Sequence, residues 1–338
     1  MKTATPAMAR AINDRLALDL LLEHGALTAP QLREHTGLSR PTVADLLERL
    51  QAAGLVEARG EYGEDRRGPN ARLYGVVAGR AHVAGVDIRR TGLTVTVADL
   101  TGATIGTATR GPSPDLAGTI AAAVREASSG RAVNTVVLGA PGVIHPHTST
   151  IAGGNGVPGW TDSLPASVGA ALDARVVLEN EVNLAAIAEH REGAAKGRDD
   201  FALLWLDDGV GGAVVLDGRL RRGSSGGAGE IGLLDIDGTT FCCAIDPAQV
   251  PDLTREELTS RVASGTFAVI AVLDPGLVVL GGTKGKEGGD ELADQVEKLV
   301  ASRSPAVTRV RPSTVRGNAI LQGAVLTALD LTRDTIFS

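Results

Sequence analysis

One segment near the N-terminus constrains the fold more than any other, because residues 28–55 follow the pattern of a helix-turn-helix. Thr28 is followed three residues later by Gln31, the arrangement of a helix capping box, and Ser39 precedes Pro41 as the N-cap of a second helix. A short glycine-centred turn separates the two, which is the connection that this motif needs. The spacing therefore predicts two helices joined tightly, and an ordinary helical hairpin is the alternative interpretation.

The second predicted helix has one apolar and one polar face. Its apolar residues repeat at i, i+3, i+4 and i+7, which places on one side Val43, Leu46, Leu47 and Leu50. In a helix-turn-helix the first turn of this helix meets the edges of the bases, and Arg40 and Thr42 stand there. The predicted DNA-binding residues of the motif are Gln31, Ser39, Arg40, Pro41, Thr42 and Asp45. Arg49 is expected near the same polar face.

A charged loop follows between two short β-prone segments, residues 55–58 and 71–74. Two strands joined by a loop rich in glycine and proline predict a hairpin, here a wing beside the helix-turn-helix. Arg66 and Arg67 at its tip are suited to contacts with phosphates or with the minor groove, so they complete the predicted DNA-binding set. The alternative is a solvated loop that happens to be charged.

Composition limits the class of protein. The 338 residues contain no apolar stretch of membrane-spanning length and no apolar signal segment, so we expect a cytoplasmic protein without a membrane partner. Two adjacent cysteines, Cys242 and Cys243, cannot build a disulfide framework. The net charge of −7 does not oppose DNA binding, because residues 1–80 hold 11 basic and 10 acidic side chains. The excess of acidic side chains lies in the rest of the chain, from residue 81 onward.

From Ala81 onward the pattern changes to strands that alternate with helices, which predicts an α/β architecture. The predicted strands are 82–88, 93–100, 135–138, 175–178, 201–206 and 213–216. The predicted helices are 116–126, 182–191, 292–300 and 317–329. The glycine-rich segment 223–229 is too short for a linker, and it favours a tight loop beside a ligand.

Six motifs in this part of the chain carry a family resemblance. In order they are GVDI-x-x-T (85–91), GAPGV (139–143), VPGW (157–160), ENEVNLAA (179–186), GVGGAVVLDGRLRRGSSGGAGEIG (209–232) and DPGLVVLGG (274–282). Together they resemble the ROK family, which groups repressors, open reading frames and sugar kinases. The resemblance implies an N-terminal winged helix-turn-helix followed by a two-lobed actin-like (ribonuclease H-like) α/β body, closed by a C-terminal helix that returns to the first lobe.

The resemblance also implies a division into domains. The winged helix-turn-helix would comprise residues 1–77, and the first lobe 78–184 plus 316–338. The second lobe, 185–315, would carry the effector cleft and an oligomerisation surface.

The cleft departs from the kinase pattern of the family at three places. The first phosphate loop of family kinases resembles DIGGT, whereas residues 87–91 place arginines where both glycines would allow close backbone approach. The second loop carries Asp207 and Asp208, which would repel a triphosphate. The position of the family's catalytic aspartate is Glu181, whose extra methylene displaces the carboxylate. Together these changes predict no kinase activity, no catalytic residue and no cofactor.

The family's zinc site is interrupted as well. Family members follow GEIGH with a CxCGxxGC cluster, whose cysteines and histidine hold the metal. Here Leu233 stands in place of the histidine, and the cysteine cluster is missing. We therefore expect no metal.

Polar side chains at the sugar-binding positions of the family remain. The resemblance assigns an effector site to Asn155, Asn180, Glu181 and Glu230. Amide and carboxylate groups suit a polyol, because each can bridge neighbouring hydroxyls. The alternatives are that Asn180 caps the helix that follows it, and that Glu230 makes a loop hydrogen bond.

The sequence thus predicts a DNA-binding transcriptional regulator, a repressor, that responds to a carbohydrate-related small molecule. Its partners would be double-stranded DNA with an inverted-repeat operator and further copies of the chain, as a homodimer or homotetramer. A ROK sugar kinase with an accessory DNA-binding head is the alternative from another class. A regulator that binds no ligand is the third interpretation.

Overall fold

The computed structural model describes residues 6–62, 71–146, 148, 150–151, 154–207 and 209–337. The chain begins with a head, whose elements in order are α1 (Pro6–His24), β1 (Leu27–Thr28), α2 (Ala29–Thr36), α3 (Arg40–Ala52), β2 (Val56–Tyr62) and β3 (Ala71–Val76). The three strands form one sheet in the order β1-β3-β2, and β2 pairs antiparallel with β3. The predicted helix-turn-helix and the paired strands of the wing are therefore present, whereas Arg66 and Arg67 lie outside the described residues.

The caps that located the two helices form as the spacing predicts. The Thr28 hydroxyl accepts a hydrogen bond from the Gln31 amide, and the Gln31 side chain accepts one in return from the Thr28 amide at 2.8 Å. Gly37 ends α2 with a φ of 68°, a conformation that favours glycine, and Ser39 caps α3 through the Thr42 amide. The apolar stripe of α3 is buried, as expected, at Val43, Leu46, Leu47 and Leu50.

The first lobe is a five-stranded mixed sheet. Its elements are β4 (His82–Arg89), β5 (Gly92–Asp99), β6 (Thr104–Arg110), α4 (Leu116–Ala127), β7 (Thr135–Ala140), α5 (Leu164–Leu172) and β8 (Arg175–Asn180). The strand order is β6-β5-β4-β7-β8, with β4, β7 and β8 parallel. Because the carboxyl ends of parallel strands meet at one edge, the sheet brings Asp87 and Asn180 to the same side.

The second lobe repeats this plan. After α6 (Glu181–Glu192) its elements are β9 (Phe201–Leu206), β10 (Val210–Leu216), β11 (Arg219–Arg221), β12 (Asp235–Ile236), β13 (Thr239–Thr240), α7 (Phe241–Ile245), α8 (Arg255–Leu273), β14 (Leu277–Gly281), α9 (Gly282–Ala301) and β15 (Arg309–Pro312). The main sheet has the order β11-β10-β9-β14-β15, with β9, β14 and β15 parallel. The two-lobed α/β body that the resemblance implied is therefore confirmed, while the exact domain limits stay predictions.

A last helix, α10 (Ala319–Ile336), returns to the first lobe and packs on β4, β7 and α6. Its 18 residues span about 27 Å. The residue that caps its first turn, Asn318, donates a hydrogen bond to Asp87 at 2.7 Å, and Phe337 just beyond its last turn is buried in the head core. This helix therefore connects the edge between the lobes with the head.

The head is joined to the body by more than a chain connection. Leu100 of the first lobe and Phe337 belong to the same buried apolar cluster as the leucines of α1 and α3. Arg15 of α1 pairs with Asp334 at 2.7 Å and lies 5.4 Å from the centre of the Phe337 ring. The head and α10 thus share one core. Within the part of the chain that the structure describes, no helix is long and apolar enough to cross a membrane.

Candidate functional site

The first turn of α3 presents an open polar surface. Ser39, Arg40, Pro41 and Asp45 are exposed, and Thr42 is half-buried. The Ser39 and Thr42 hydroxyls hydrogen-bond each other at 2.8 Å. Among the described residues none pairs with the Arg40 guanidinium, so all of its donors are available to a ligand. This turn has the form of a helix end that can enter a DNA groove.

Two residues of the motif have a structural role. Gln31 is half-buried, and its side-chain oxygen is used by the capping box of α2, which leaves only its amide nitrogen for DNA. Arg49, expected nearer the polar face, is half-buried and lies off the apolar stripe of α3. Its guanidinium binds both oxygens of Asp14, at 2.5 and 3.3 Å, and thereby fastens α3 to α1.

A small cavity of about 140 Å³ lies where the edges of the two lobes face each other. The helix α6 forms one wall, and the glycine-rich loop after β11 forms another. That this loop lies beside a ligand stays a prediction. Three of the four predicted effector residues line the cavity, namely Asn180, Glu181 and Glu230. Asn155 is not among the described residues that line it.

Asn180 caps α6, as the structural alternative proposed. Its side-chain oxygen accepts hydrogen bonds from the amides of Val182 and Asn183, and its side-chain nitrogen donates to the carbonyl of Gly142. Asn155 is 7% exposed, and its side-chain oxygen accepts from the Val157 amide while its Nδ2 has no partner. Direct sugar contacts by these two residues stay predictions.

Arg89 lies at the lobe edge where family kinases place a glycine-rich phosphate loop. Its Nε donates to Asp87 Oδ1 at 2.8 Å, and its Nη1 lies 3.7 Å from Asp207 Oδ2 in the other lobe. Asp87 is further held by Asn318, and Asp207 accepts a hydrogen bond from Thr283 at 2.7 Å. A guanidinium therefore neutralises both aspartates and ties the lobes together. Asp208, the other predicted carboxylate of this loop, lies outside the described residues.

Glu181 is the first residue of α6, and its carboxylate is almost enclosed. Its Oε2 is buried, and no described residue forms a hydrogen bond with it. Burial raises the pKa of the carboxyl to about 7. The positive charge of the nearby Arg89 acts to lower this pKa, and the negative charges of Asp87 and Asp207 act to raise it. Glu181 is thus poised to gain or lose a proton near neutral pH.

The sequence reasoning missed two features of the cleft. Trp205 on β9 lines the cavity and is 6% exposed, and its indole N–H has no partner among the described residues. Its ring packs on Gly281 of one neighbouring strand, where a Cβ would come within 2.8 Å of the ring, and its register partner on the other neighbouring strand is Gly211. Beside the cavity, the buried Glu179 pairs with Arg222 at 2.6 Å. Only the strand register, which a sequence does not show, reveals the paired glycines.

A larger cavity of about 850 Å³ lies between α1 and α10, at the junction of head and body. Its charged side chains are largely matched within the protein, since Arg191 pairs with Asp330 at 2.6 Å and Arg15 with Asp334. It holds none of the predicted effector residues. We therefore place the candidate effector site in the smaller cavity.

The residues present do not fit the zinc ion that the family resemblance would bring. Leu233 is exposed at the histidine position, and the Cys242 thiol lies 3.2 Å from the Val210 amide, from which it accepts a hydrogen bond. In the described part of the chain no three His, Cys, Asp or Glu side chains are arranged to hold a metal ion. Packing against the Val210 backbone takes the place of a metal in this loop.

Fold and cleft together define a class: a winged-helix head on a two-lobed body of the sugar-kinase type. The comparisons with known proteins agree. The model of the ROK family matches residues 83–246, and that of the MarR family matches residues 12–68. The chain therefore contains a ROK-family domain preceded by a winged helix of the MarR type.

Characterised relatives include both enzymes and regulators. A glucokinase of Streptomyces coelicolor is 32% identical over 152 residues, which are 44% of this chain and 48% of the enzyme. The chain thus spans about half the length of the curated glucokinases that it matches. The xylose repressor of Bacillus subtilis is 25% identical over 248 residues, 70% of this chain and 64% of the repressor.

A solved structure matches nearly the whole fold. It is a ROK family transcriptional regulator described as a homologue of the E. coli MLC protein, with a TM-score of 0.74 and 16% identity. The match covers 97% of this chain and 98% of that one. The arrangement of head and body is therefore one that a known regulator shares.

Proposed function

We propose that the protein is a DNA-binding transcriptional regulator, a repressor, whose ROK body binds a carbohydrate-related effector. The observation that carries this proposal is the exposed first turn of α3, where Arg40 has no partner within the described chain. A winged helix that used this turn for packing would bury it. The likeness to a protein named xylose repressor over 70% of the chain supports the same function.

Replacing Arg40 by alanine is expected to weaken operator binding about tenfold to a hundredfold, since an arginine that reads a base contributes about 1–3 kcal/mol. The operator is first selected from a random double-stranded library with the full chain, and affinities are then measured by fluorescence anisotropy. Arg219→Ala, an equal change of charge at an exposed position of β11, is the control and should leave the affinity nearly unchanged. Equal affinities for both variants would remove Arg40 from the DNA-binding set.

The regulator would act as a symmetric homodimer or homotetramer on an inverted repeat. Met8, Ile12 and Leu16 of α1 are exposed at intervals of four residues, and such an apolar stripe on one helix face supports self-association. The selected operator should therefore contain two half-sites. A single asymmetric site bound by one copy would contradict this assembly.

We further propose that the cleft no longer phosphorylates sugars. Arg89 binds Asp87 and faces Asp207 at the edge where ATP phosphates would need backbone donors. One observation favours the alternative of a sugar kinase, namely that the pKa of Glu181 near 7 suits a general base. A coupled assay of ADP release with a panel of hexoses is expected to show no turnover. Turnover that disappears in Glu181→Gln would establish the kinase instead.

The path from cleft to DNA would be α10. Asn318 at its start binds Asp87, and Phe337 after its end is buried in the head, so closure of the lobes on an effector would shift the head. Asn318→Ala is expected to keep operator affinity but to reduce its response to the effector. Asp115→Ala, which removes a matched N-cap from α4 far from the cleft, should retain the response. An unchanged response in Asn318→Ala would exclude this route.

A further inference from the structure

We infer that the effector of this cleft is an amine-bearing polyol, such as an amino sugar, whose ammonium group is held by Glu230. The inference rests on the proposed function, because it names the chemical class of the ligand of that same site. It is carried by the charges that line the cavity and by an unpartnered donor in its wall.

The charges of the cavity are unbalanced. Its described lining contains one cation, Arg89, and three carboxylates, Glu181, Asp207 and Glu230. The guanidinium is engaged with Asp87 and faces Asp207, and it also lowers the pKa of Glu181. With a pKa of about 7, Glu181 carries only part of a negative charge at neutral pH, so Glu230 is the carboxylate of the described lining that lacks a counter-charge. A phosphorylated or carboxylated sugar would meet a net negative surface, whereas a cationic ligand would neutralise it.

Glu230 is the carboxylate best placed for a cation. It follows directly on the glycine-rich loop, and its side chain makes no hydrogen bond or ion pair with any described residue. Glu230 is solvent-exposed as a residue, and partial burial of its carboxyl raises the pKa; among the described residues no arginine or lysine counteracts that rise. An ammonium group would supply the missing charge and three hydrogen-bond donors.

Trp205 provides an independent indication of a polar ligand. Its residue is 6% exposed and its indole nitrogen has no partner in the described part of the chain, and a buried donor left unpaired is costly. The six-membered ring of the indole packs on Gly281, and Trp205 is one of the residues that line the cavity. A hydroxyl oxygen of the ligand can accept a hydrogen bond from this indole N–H. Glu181 Oε2, which also lacks a partner among the described residues, can accept a hydrogen bond from a second hydroxyl of the ligand.

A metal ion is the other way to neutralise carboxylates, and the geometry does not support it. No three carboxylate, histidine or cysteine side chains of the described chain converge as ligands. The cation is therefore part of the ligand.

The test is calorimetric titration of the full chain with D-glucosamine, D-galactosamine and D-mannosamine, each compared with its parent hexose and its N-acetyl derivative. The three comparisons hold the hydroxyl pattern constant while the positive charge is added or removed. At least one amine is expected to bind tenfold or more tightly than both matched neutral sugars, the change that one hydrogen bond to a charged group gives. This preference should fade as the pH is raised until the amine loses its proton.

Two variants assign the preference to a residue. Glu230→Gln keeps the shape of the side chain and is expected to bring the ratio of amine to parent affinity close to one. Glu287→Gln, an equal loss of charge at an exposed position of α9, should leave the ratio unchanged.

The inference is overturned if no amine binds, if a neutral or 6-phosphorylated sugar binds more tightly than every amine, or if the preference survives in Glu230→Gln. Operator binding, measured separately, distinguishes this failure from that of the proposed function. If a neutral sugar binds and alters operator affinity, the proposed regulator function stands and the inference of an amine-bearing effector fails. Operator binding without any sugar response would leave a regulator without a ligand.

Discussion

Replacing Arg89 by alanine is expected to lower the free energy of unfolding by about 3 kcal/mol, the lower end of the cost of breaking a buried ion pair. The side chain of Asp87 is 5% exposed, and without the guanidinium its charge would depend on Asn318 alone. Asp207, in the other lobe, would lose the same neighbour. Urea denaturation of the full chain at pH 7, followed by circular dichroism, measures the effect.

Arg221→Ala is the control for this experiment. Arg221 pairs with Asp217 at 2.7 Å, but both side chains are solvent-exposed, and such pairs contribute at most about 1 kcal/mol. If Arg89→Ala costs no more than Arg221→Ala, then Arg89 does not hold the lobes in the way described.

The free energy of unfolding is expected to fall by up to about 3 kcal/mol between pH 4.5 and pH 7 because of Glu181. The pKa of its carboxyl in the folded protein is about 7, above the ordinary value of 4.5 that it has in the unfolded chain. Below pH 4.5 both states bind the proton. As the pH rises through this window, the unfolded chain releases the proton first, so unfolding becomes progressively more favourable until the folded state is also ionised.

Glu181→Gln isolates this contribution, since glutamine has nearly the same shape and does not titrate. The difference in unfolding free energy between the variant and the natural chain should grow with pH from 4.5 to 7 and then level off. Parallel curves for the two proteins would show that Glu181 titrates normally. Denaturant titrations at pH 5, 6, 7 and 8 are sufficient to decide.

The head could be predicted from sequence because its signals are local. A cap and its partner lie three residues apart, as in Thr28 and Gln31, and the apolar stripe of α3 repeats within two turns. The same holds for the paired strands β4 and β5, whose register is fixed by a short turn. The ion pair of Arg49 could not be predicted in this way, because its partner, Asp14, lies on another helix 35 residues away.

The cleft was only partly predictable, because its chemistry joins distant parts of the chain. The resemblance placed Asn180, Glu181 and Glu230 near one ligand, and the structure brings them to one cavity. No local pattern shows that Arg89 faces Asp207, or that Trp205 lies between two glycines of neighbouring strands. The long helix α8 was missed since its small and polar residues leave its apolar periodicity weak.

The placement of α10 has a consequence for how the protein is made on the ribosome. The central strands β4 and β7 are translated early, yet the helix that covers them is synthesised more than 170 residues later. Until then the apolar face of this sheet has no permanent cover, and the core of the DNA-binding head lacks Phe337. The nascent chain that still lacks α10 is therefore the stage of synthesis at which aggregation and chaperone capture are most expected, and synthesis of α10 should complete both folding units together.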